Sequence, residues 1–185
     1  MTRKAKPVAP GSHPDIESMI RVDHAGEYGA VRIYQGQLAV LRRRKGAERS
    51  VETIEHMAEQ EQRHLKAFDR LVNERKVRPT ALEPLWRVAG FALGAATAAM
   101  GEKAAFACTA AVEEVIDEHY ASQIAALEDG KDPALKAAVE DFRADEAAHR
   151  DTALKEGAEE APGYKLLSET IKAGCRIAIK LSERI

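Results

Sequence analysis

Two copies of an ExxH motif are the residues of this sequence best suited to chemistry on a metal ion. One pairs Glu61 with His64, and the other pairs Glu146 with His149. Residues three apart share a face of an α-helix, so the carboxylate and imidazole of each pair can bind one ion. Such oxygen and nitrogen ligands suit iron and manganese. Because ExxH also occurs by chance, its place on the helix decides whether it is informative.

Both motifs lie in the apolar face of a predicted helix, where leucine would be expected. Two further glutamates, Glu27 and Glu113, hold the same position on two other helices. The spacing repeats, since 34 residues separate Glu27 from Glu61 and 33 separate Glu113 from Glu146. The sequence therefore predicts a helical hairpin with one glutamate and one ExxH motif, occurring twice. Flanking apolar residues at helical spacing include Ile20, Val31, Ile54, Phe68, Phe106, Ile116, Phe142 and Ala153.

Four carboxylates in a dry core require neutralisation, because unpaired buried charges cost many kcal/mol. No lysine or arginine occupies a neighbouring position on these apolar faces. Two divalent cations would balance the four carboxylates, and two neutral imidazoles would complete the ligand sets. This composition is typical of a di-iron or di-manganese carboxylate centre rather than structural zinc. The alternative is that the four acids are solvated, on helices whose inward face is assigned wrongly.

The helices that must position these residues follow from the hydrophobic pattern. Apolar residues recur every three to four positions and no stretch alternates with period two, so the chain is predicted to be all-α. Asp132 and Pro133 are a typical N-cap and first helical residue. The predicted helices span residues 14–44, 48–76, 83–128 with a break near 100–103, 133–157 and 164–183.

Long antiparallel helices with short turns predict a four-helix bundle, with the apolar segment and a C-terminal helix packed on it. Residues 1–13 are predicted to be a disordered basic tail, and residues 14–185 a single domain. A net charge of −2 and 5% aromatic residues disfavour nucleic acid as a partner. Two cysteines, Cys108 and Cys175, exclude a disulfide framework.

The segment 85–100, LWRVAGFALGAATAAM, is the most apolar stretch. It is too short to span a bilayer and contains Arg87. Together with basic residues on the C-terminal helix such as Lys172 and Arg176, it favours peripheral contact with a membrane surface. Close helix packing through its small residues, as in GxxxG motifs, is the competing interpretation.

Several polar residues near the motifs keep two interpretations open. His119 and Tyr120 follow Glu113 and either line a substrate pocket or are ordinary surface and packed residues. Asp23, one turn before Glu27, either hydrogen-bonds a ligand histidine or is solvated. The remaining histidines His24 and His56 are predicted to lie at the surface.

The sequence resembles the demethoxyubiquinone hydroxylase family of ubiquinone biosynthesis over nearly all of residues 20–185. The matching segments are RVDHAGEYGAVRIYQGQ, EQRHLKAF, PLWRVAGFALGA, ACTAAVEE, FRADEAAHRD and AGCRIAIKLSERI. The resemblance implies a ferritin-like di-iron monooxygenase that hydroxylates the ring of a polyprenylated demethoxyubiquinol with O2. Carried over by position, the ligands of its two iron ions fall on Glu27, Glu61, His64, Glu113, Glu146 and His149, and its conserved His–Tyr pair on His119 and Tyr120.

The same resemblance implies partners and a location. A polyprenyl tail places the substrate in a membrane, and a lipid-presenting partner protein and a homo-oligomer remain open. The short N-terminal tail favours the cytoplasmic face of a bacterial cell membrane, with the matrix side of the mitochondrial inner membrane as the alternative. Competing functions are iron storage by a ferritin-like ferroxidase, another di-iron quinol oxidase, and a metal-free helical adaptor.

Overall fold

The computed structural model describes residues 16–128 and 130–185, and within these ranges every regular element is a helix. The predicted tail over residues 1–13 and the first two residues of the first predicted helix lie outside them. A single 3-10 turn, Ala158–Glu160, separates the last two helices. The six α-helices are α1 (Ile16–Leu41), α2 (Glu48–Arg75), α3 (Glu83–Met100), α4 (Glu102–Ala126), α5 (Pro133–Lys155) and α6 (Tyr164–Ser182).

Helices α1, α2, α4 and α5 form the bundle, in which α1 packs on α2 and α4 packs on α5. An apolar cluster that includes Leu41, Ile54 and Phe106 fills one end of the bundle. A second cluster, with Phe68 and Leu135, fills the other end. Each bundle helix therefore passes from one apolar cluster through a polar layer into the other. The all-α, ferritin-like bundle predicted from the sequence is confirmed.

Local sequence signals set the ends of these helices. The predicted break near residues 100–103 falls at Gly101. Its φ of 128° is a backbone angle that residues with a side chain rarely adopt. The helix end at Gly101 separates α3 from α4. Asp132 caps α5 as predicted, because its side chain accepts a hydrogen bond from the Leu135 backbone N–H at 3.1 Å.

The apolar segment forms α3, which packs backbone to backbone against α1. A Cβ added at Gly94 would lie 2.0 Å from the Ile33 carbonyl oxygen, and one at Gly36 would lie 2.2 Å from that of Phe91. Only glycine permits this approach. The face of α3 turned away from α1 is exposed, with Val88 at 66%. Close packing and an exposed apolar face therefore occur together on one helix.

We expect Gly94→Ala to destabilise the protein by about 1–3 kcal/mol or more, because the added methyl meets backbone that cannot rotate away. Thermal unfolding followed by circular dichroism measures the effect. Gly174→Ala on α6 is the matched control, since nothing lies within 4 Å of a Cβ there. There the gain in helix propensity should leave stability equal or slightly higher. Equal melting temperatures for the two variants would contradict the close contact of α1 and α3.

Helices α3 and α6 face each other across an apolar cavity of about 400 Å³. The two helices are joined at one end, where the Trp86 indole N–H donates to the Ser182 hydroxyl at 3.1 Å. The Ala81 backbone N–H also donates to the Ile185 carbonyl there, at 3.0 Å. None of the helices in residues 16–128 and 130–185 has the length and hydropathy needed to cross a bilayer.

Candidate metal centre

The polar layer of the bundle brings together all six residues singled out in the sequence. All six residues are buried, and none is more than 2% exposed. Each bundle helix contributes one glutamate, and α2 and α5 each add a histidine one turn later. The six residues are Glu27, Glu61, His64, Glu113, Glu146 and His149.

The six residues form two overlapping groups, each with the composition of a metal site. In each group one ligand atom per residue lies within 4.8 Å of all the others. Glu61 and Glu146 belong to both groups, which is the arrangement expected of carboxylates that bridge two ions. The first group adds Glu27 and His64, and the second adds Glu113 and His149. This geometry is suited to two cations side by side.

Unpaired atoms at the centre point to the same conclusion. The His64 Nδ1 atom lies 3.1 Å from a Glu146 oxygen, and the His149 Nδ1 atom lies 3.0 Å from a Glu61 oxygen. These contacts lack hydrogen-bond alignment, so both nitrogens and the facing oxygens remain unsatisfied. Buried polar atoms in folded proteins seldom lack a hydrogen-bond partner. The unsatisfied atoms of the group are Glu27 Oε2, both oxygens of Glu61 and Glu146, Glu113 Oε2, and Nδ1 of His64 and His149.

The opposite nitrogen of each imidazole is held from outside by a residue that the sequence reasoning missed. His64 Nε2 lies 3.0 Å from Asp145 Oδ2, and His149 Nε2 lies 3.1 Å from Gln60 Oε1. Such bonds fix the tautomer that leaves Nδ1 free for a metal. The signal was present, because Gln60 and Asp145 each precede the glutamate of an ExxH motif.

A second pair of contacts follows the internal repeat. Tyr34 donates a 2.8 Å hydrogen bond to Glu113, and Tyr120 donates one to Glu27. Each tyrosine follows the glutamate of its own helix by seven positions and reaches the glutamate of the other helix. Both rings are buried. The two glutamates that belong to only one group are thus each held by a phenol.

The outcome differs among the other polar residues that the sequence analysis singled out. Asp23 is buried, but its partners are His119 at 3.1 Å and Gln123 at 2.8 Å rather than a ligand histidine. His119 is half-buried beside it. The prediction that His24 lies at the surface is wrong, because α1 turns it toward α2, where its Nε2 lies 2.9 Å from Asp69. His56 is exposed, as predicted.

Several ligand residues have raised pKa values, so the centre favours bound protons when no cation is present. Burial raises the pKa of Glu61, Glu113 and Glu146 above the ordinary value, and repulsion from neighbouring carboxylates adds to each shift. Burial alone would lower the pKa of His64, but the carboxylates of Glu146 and Glu27 outweigh it and raise that pKa to about 10. Bound cations would replace these protons.

The apolar cavity between α3 and α6 lies against the same part of the bundle. Its walls include Gly26 and Val112, which are chain neighbours of Glu27 and Glu113. Trp86 and Leu93 from α3 and Ile179 from α6 also line it. A cavity with these walls suits an apolar molecule.

Comparison with known proteins adds a family to this geometry. The family model described as "Ubiquinone biosynthesis protein COQ7" matches residues 14–182. The chain is 55% identical over 170 residues to the 3-demethoxyubiquinol 3-hydroxylase of Rhodospirillum rubrum. This match covers 92% of this chain and 78% of that protein. It is 49% identical over 178 residues to the human protein named "NADPH-dependent 3-demethoxyubiquinone 3-hydroxylase, mitochondrial", with 94% and 80% covered.

A more distant relative has the same kind of name. The chain is 42% identical over 184 residues to the 5-demethoxyubiquinone hydroxylase, mitochondrial, of Saccharomyces cerevisiae. The match covers 92% of this chain and 78% of that protein. Bacterial and eukaryotic relatives thus agree on hydroxylation within ubiquinone biosynthesis.

Proposed function

The chain belongs to the COQ7 family of ubiquinone biosynthesis proteins, and on that premise we propose that it hydroxylates the ring of a polyprenylated demethoxyubiquinol with O2. The supporting observation is the buried set of four carboxylates and two imidazoles whose inward atoms have no partner. The proposed ligands of two iron ions are Glu27, Glu61, His64, Glu113, Glu146 and His149.

The proposed reaction is a monooxygenation. One atom of O2 replaces the hydrogen of a ring C–H bond with a hydroxyl group, and the other leaves as water after the uptake of two electrons and two protons. Two bound iron ions would supply the binding and reduction of O2. The protein contributes a buried site that excludes water, two shared carboxylates from Glu61 and Glu146, and phenols that hold the carboxylates of Glu27 and Glu113 in place.

Labelled oxygen tests the proposed function directly. The iron-loaded protein is incubated with demethoxyubiquinol, ¹⁸O₂ and NADPH, the reductant in the names of several relatives. We expect one ¹⁸O atom in the hydroxylated product. Oxidation of the quinol to quinone without incorporation of label would instead indicate a quinol oxidase. Iron oxidation without any quinone product would indicate a ferroxidase.

We propose that the apolar cavity between α3 and α6 admits the quinol ring while the tail stays in lipid. Exposed apolar side chains on both helices support this proposal, among them Val88 at 66% and Leu166 at 77% exposure. Exposed apolar groups beside a cavity are typical of a surface that meets a membrane or a partner. Peripheral attachment then brings the cavity to the substrate.

Replacing Val88 and Leu166 together with glutamate is expected to release the protein from liposomes, measured by sedimentation. Turnover of a long-tailed quinol should fall more than that of a short-tailed analogue, because the carboxylate cluster is unaltered. Val88 and Leu166 are chosen because they are exposed, whereas other large apolar residues of α3 such as Phe91 and Leu93 lie half-buried. A variant that still sediments with liposomes would contradict contact between α3, α6 and lipid.

The location of the protein follows from the same proposal. Because a polyprenyl substrate lies in the membrane in which ubiquinone is made, we propose attachment to the cytoplasmic face of a bacterial cell membrane. The names of the eukaryotic relatives place them in mitochondria, so the inner membrane is the corresponding alternative. The exposed apolar face of α3 and α6 would serve equally to meet a lipid-presenting partner protein or a second copy of the chain.

A further inference from the structure

The two halves of the metal centre are nearly symmetric, but the groups that hold their histidines differ in charge. His64 Nε2 faces the carboxylate of Asp145 at 3.0 Å, whereas His149 Nε2 faces the neutral amide oxygen of Gln60 at 3.1 Å. Asp145 and Gln60 occupy the same place in the repeat, one residue before the ExxH glutamate. The internal repeat is therefore broken at the point that controls the basicity of the ligand nitrogens.

A carboxylate and an amide act differently on a metal-binding imidazole. A hydrogen bond to a negatively charged acceptor makes the opposite ring nitrogen a stronger electron donor than a bond to a neutral acceptor does. Arg63 also donates to Asp145 Oδ2, the oxygen that faces His64, and draws off part of its charge, but Arg63 is shared with Asp141 at 2.8 Å. Asp145 still carries a carboxylate charge that the amide of Gln60 lacks, so it remains the more negative of the two acceptors.

Asp145 also acts on the second half of the centre through Gln60. The Gln60 amide nitrogen donates to Asp145 Oδ1 at 3.2 Å, which turns the amide oxygen toward His149. An amide oxygen in that position requires a proton on His149 Nε2 and leaves Nδ1 free. Asp145 therefore fixes the tautomer of His64 directly and that of His149 through one intermediate residue.

We propose that Asp145 makes the two metal sites unequal, so that the site of Glu27 and His64 binds its ion more tightly and fills first. The inference rests on the proposed function insofar as that function assigns two ions to this cluster. Asp145 is a positioning residue, since it touches His64 and not the ions. Loss of such a partner typically weakens metal binding by about 10–100-fold.

Anaerobic Fe(II) titration by calorimetry on variants that isolate each site tests this inference. Glu113→Ala removes one of the two ligands found only in the second site and leaves the site of Glu27 and His64 intact, and Glu27→Ala does the reverse. Asp145→Asn is then added to each background, because it keeps the shape and removes the charge. We expect tighter binding in Glu113→Ala than in Glu27→Ala. Asp145→Asn should weaken the former by about 10–100-fold and the latter less.

The control is Asp141→Asn, which breaks the neighbouring ion pair with Arg63 but does not touch a histidine. Because Arg63 is shared with Asp145, this control should change the affinity of the Glu27 and His64 site much less than Asp145→Asn does. Circular dichroism should show equal helix content in all variants. Equal affinity in the two backgrounds, or an equal loss in both on adding Asp145→Asn, would overturn the inequality while leaving two bound ions and the proposed hydroxylation intact. Absence of Fe(II) binding by the wild-type protein would overturn the metal assignment itself.

Discussion

Glu61→Ala is expected to remove most of the bound iron and all ring hydroxylation. Glu61 belongs to both groups of the cluster, so its loss takes one carboxylate from each ion at once. Truncation also leaves three carboxylates to balance the four positive charges of two divalent ions. Neither group contains a further described acidic residue that could replace the lost charge. Iron content by elemental analysis and product formation by mass spectrometry measure the two effects.

Glu55→Ala is the matched control for this substitution. Glu55 lies on the same helix but is half-buried at the surface, where it pairs with Arg42. Exposed ion pairs contribute little to stability, so the control variant should keep both its iron and its activity. Wild-type iron content in Glu61→Ala would contradict the assignment of the cluster as a shared metal centre.

The sequence was sufficient for the bundle because the same pattern occurs on four helices. Apolar residues such as Ile54 and Phe68 identify the inward face, and a glutamate on that face is conspicuous because burial without a partner is so costly. Repetition removed the ambiguity that a single ExxH motif carries. The role of these glutamates as iron ligands stays a prediction until metal is measured.

Contacts between helices were harder to predict than positions along them. His24 is one residue from Asp23 and offers no periodic signal that it would be buried against Asp69 on α2. Gln60 and Asp145 lie beside the inward face, and their bonds cross to the opposite hairpin. A single helical pattern gives the face of each residue but not its partner, because the partner depends on the rotation of the neighbouring helix.

The direction of the pKa shifts determines how the metal-free protein should respond to pH. Glu61, Glu113 and Glu146 have a raised pKa when folded, and His64 has a pKa of about 10 against 6.5. Because of these four groups, the folded chain binds more protons than the unfolded chain. Their contribution to the free energy of unfolding is therefore largest at low pH and is lost as pH rises. Burial lowers the pKa of His149, and its opposing effect is confined to pH values below about 6.5.

Removal of metal by a chelator is therefore expected to lower the melting temperature, and to lower it more at pH 8 than at pH 5.5. A site whose ligand is present at 1,000 times its Kd stabilises the fold by about 4 kcal/mol. For a chain of 185 residues this corresponds to about 8–16 °C. At pH 5.5 the difference in melting temperature between the two forms should be smaller for two reasons. Protons relieve the repulsion between carboxylates in the metal-free protein, and they compete with the cations for the same atoms in the metal-loaded protein. Differential scanning calorimetry of the metal-loaded and chelated protein at both pH values measures the gap, and an unchanged melting temperature after chelation at pH 8 would mean that no cation holds these carboxylates together.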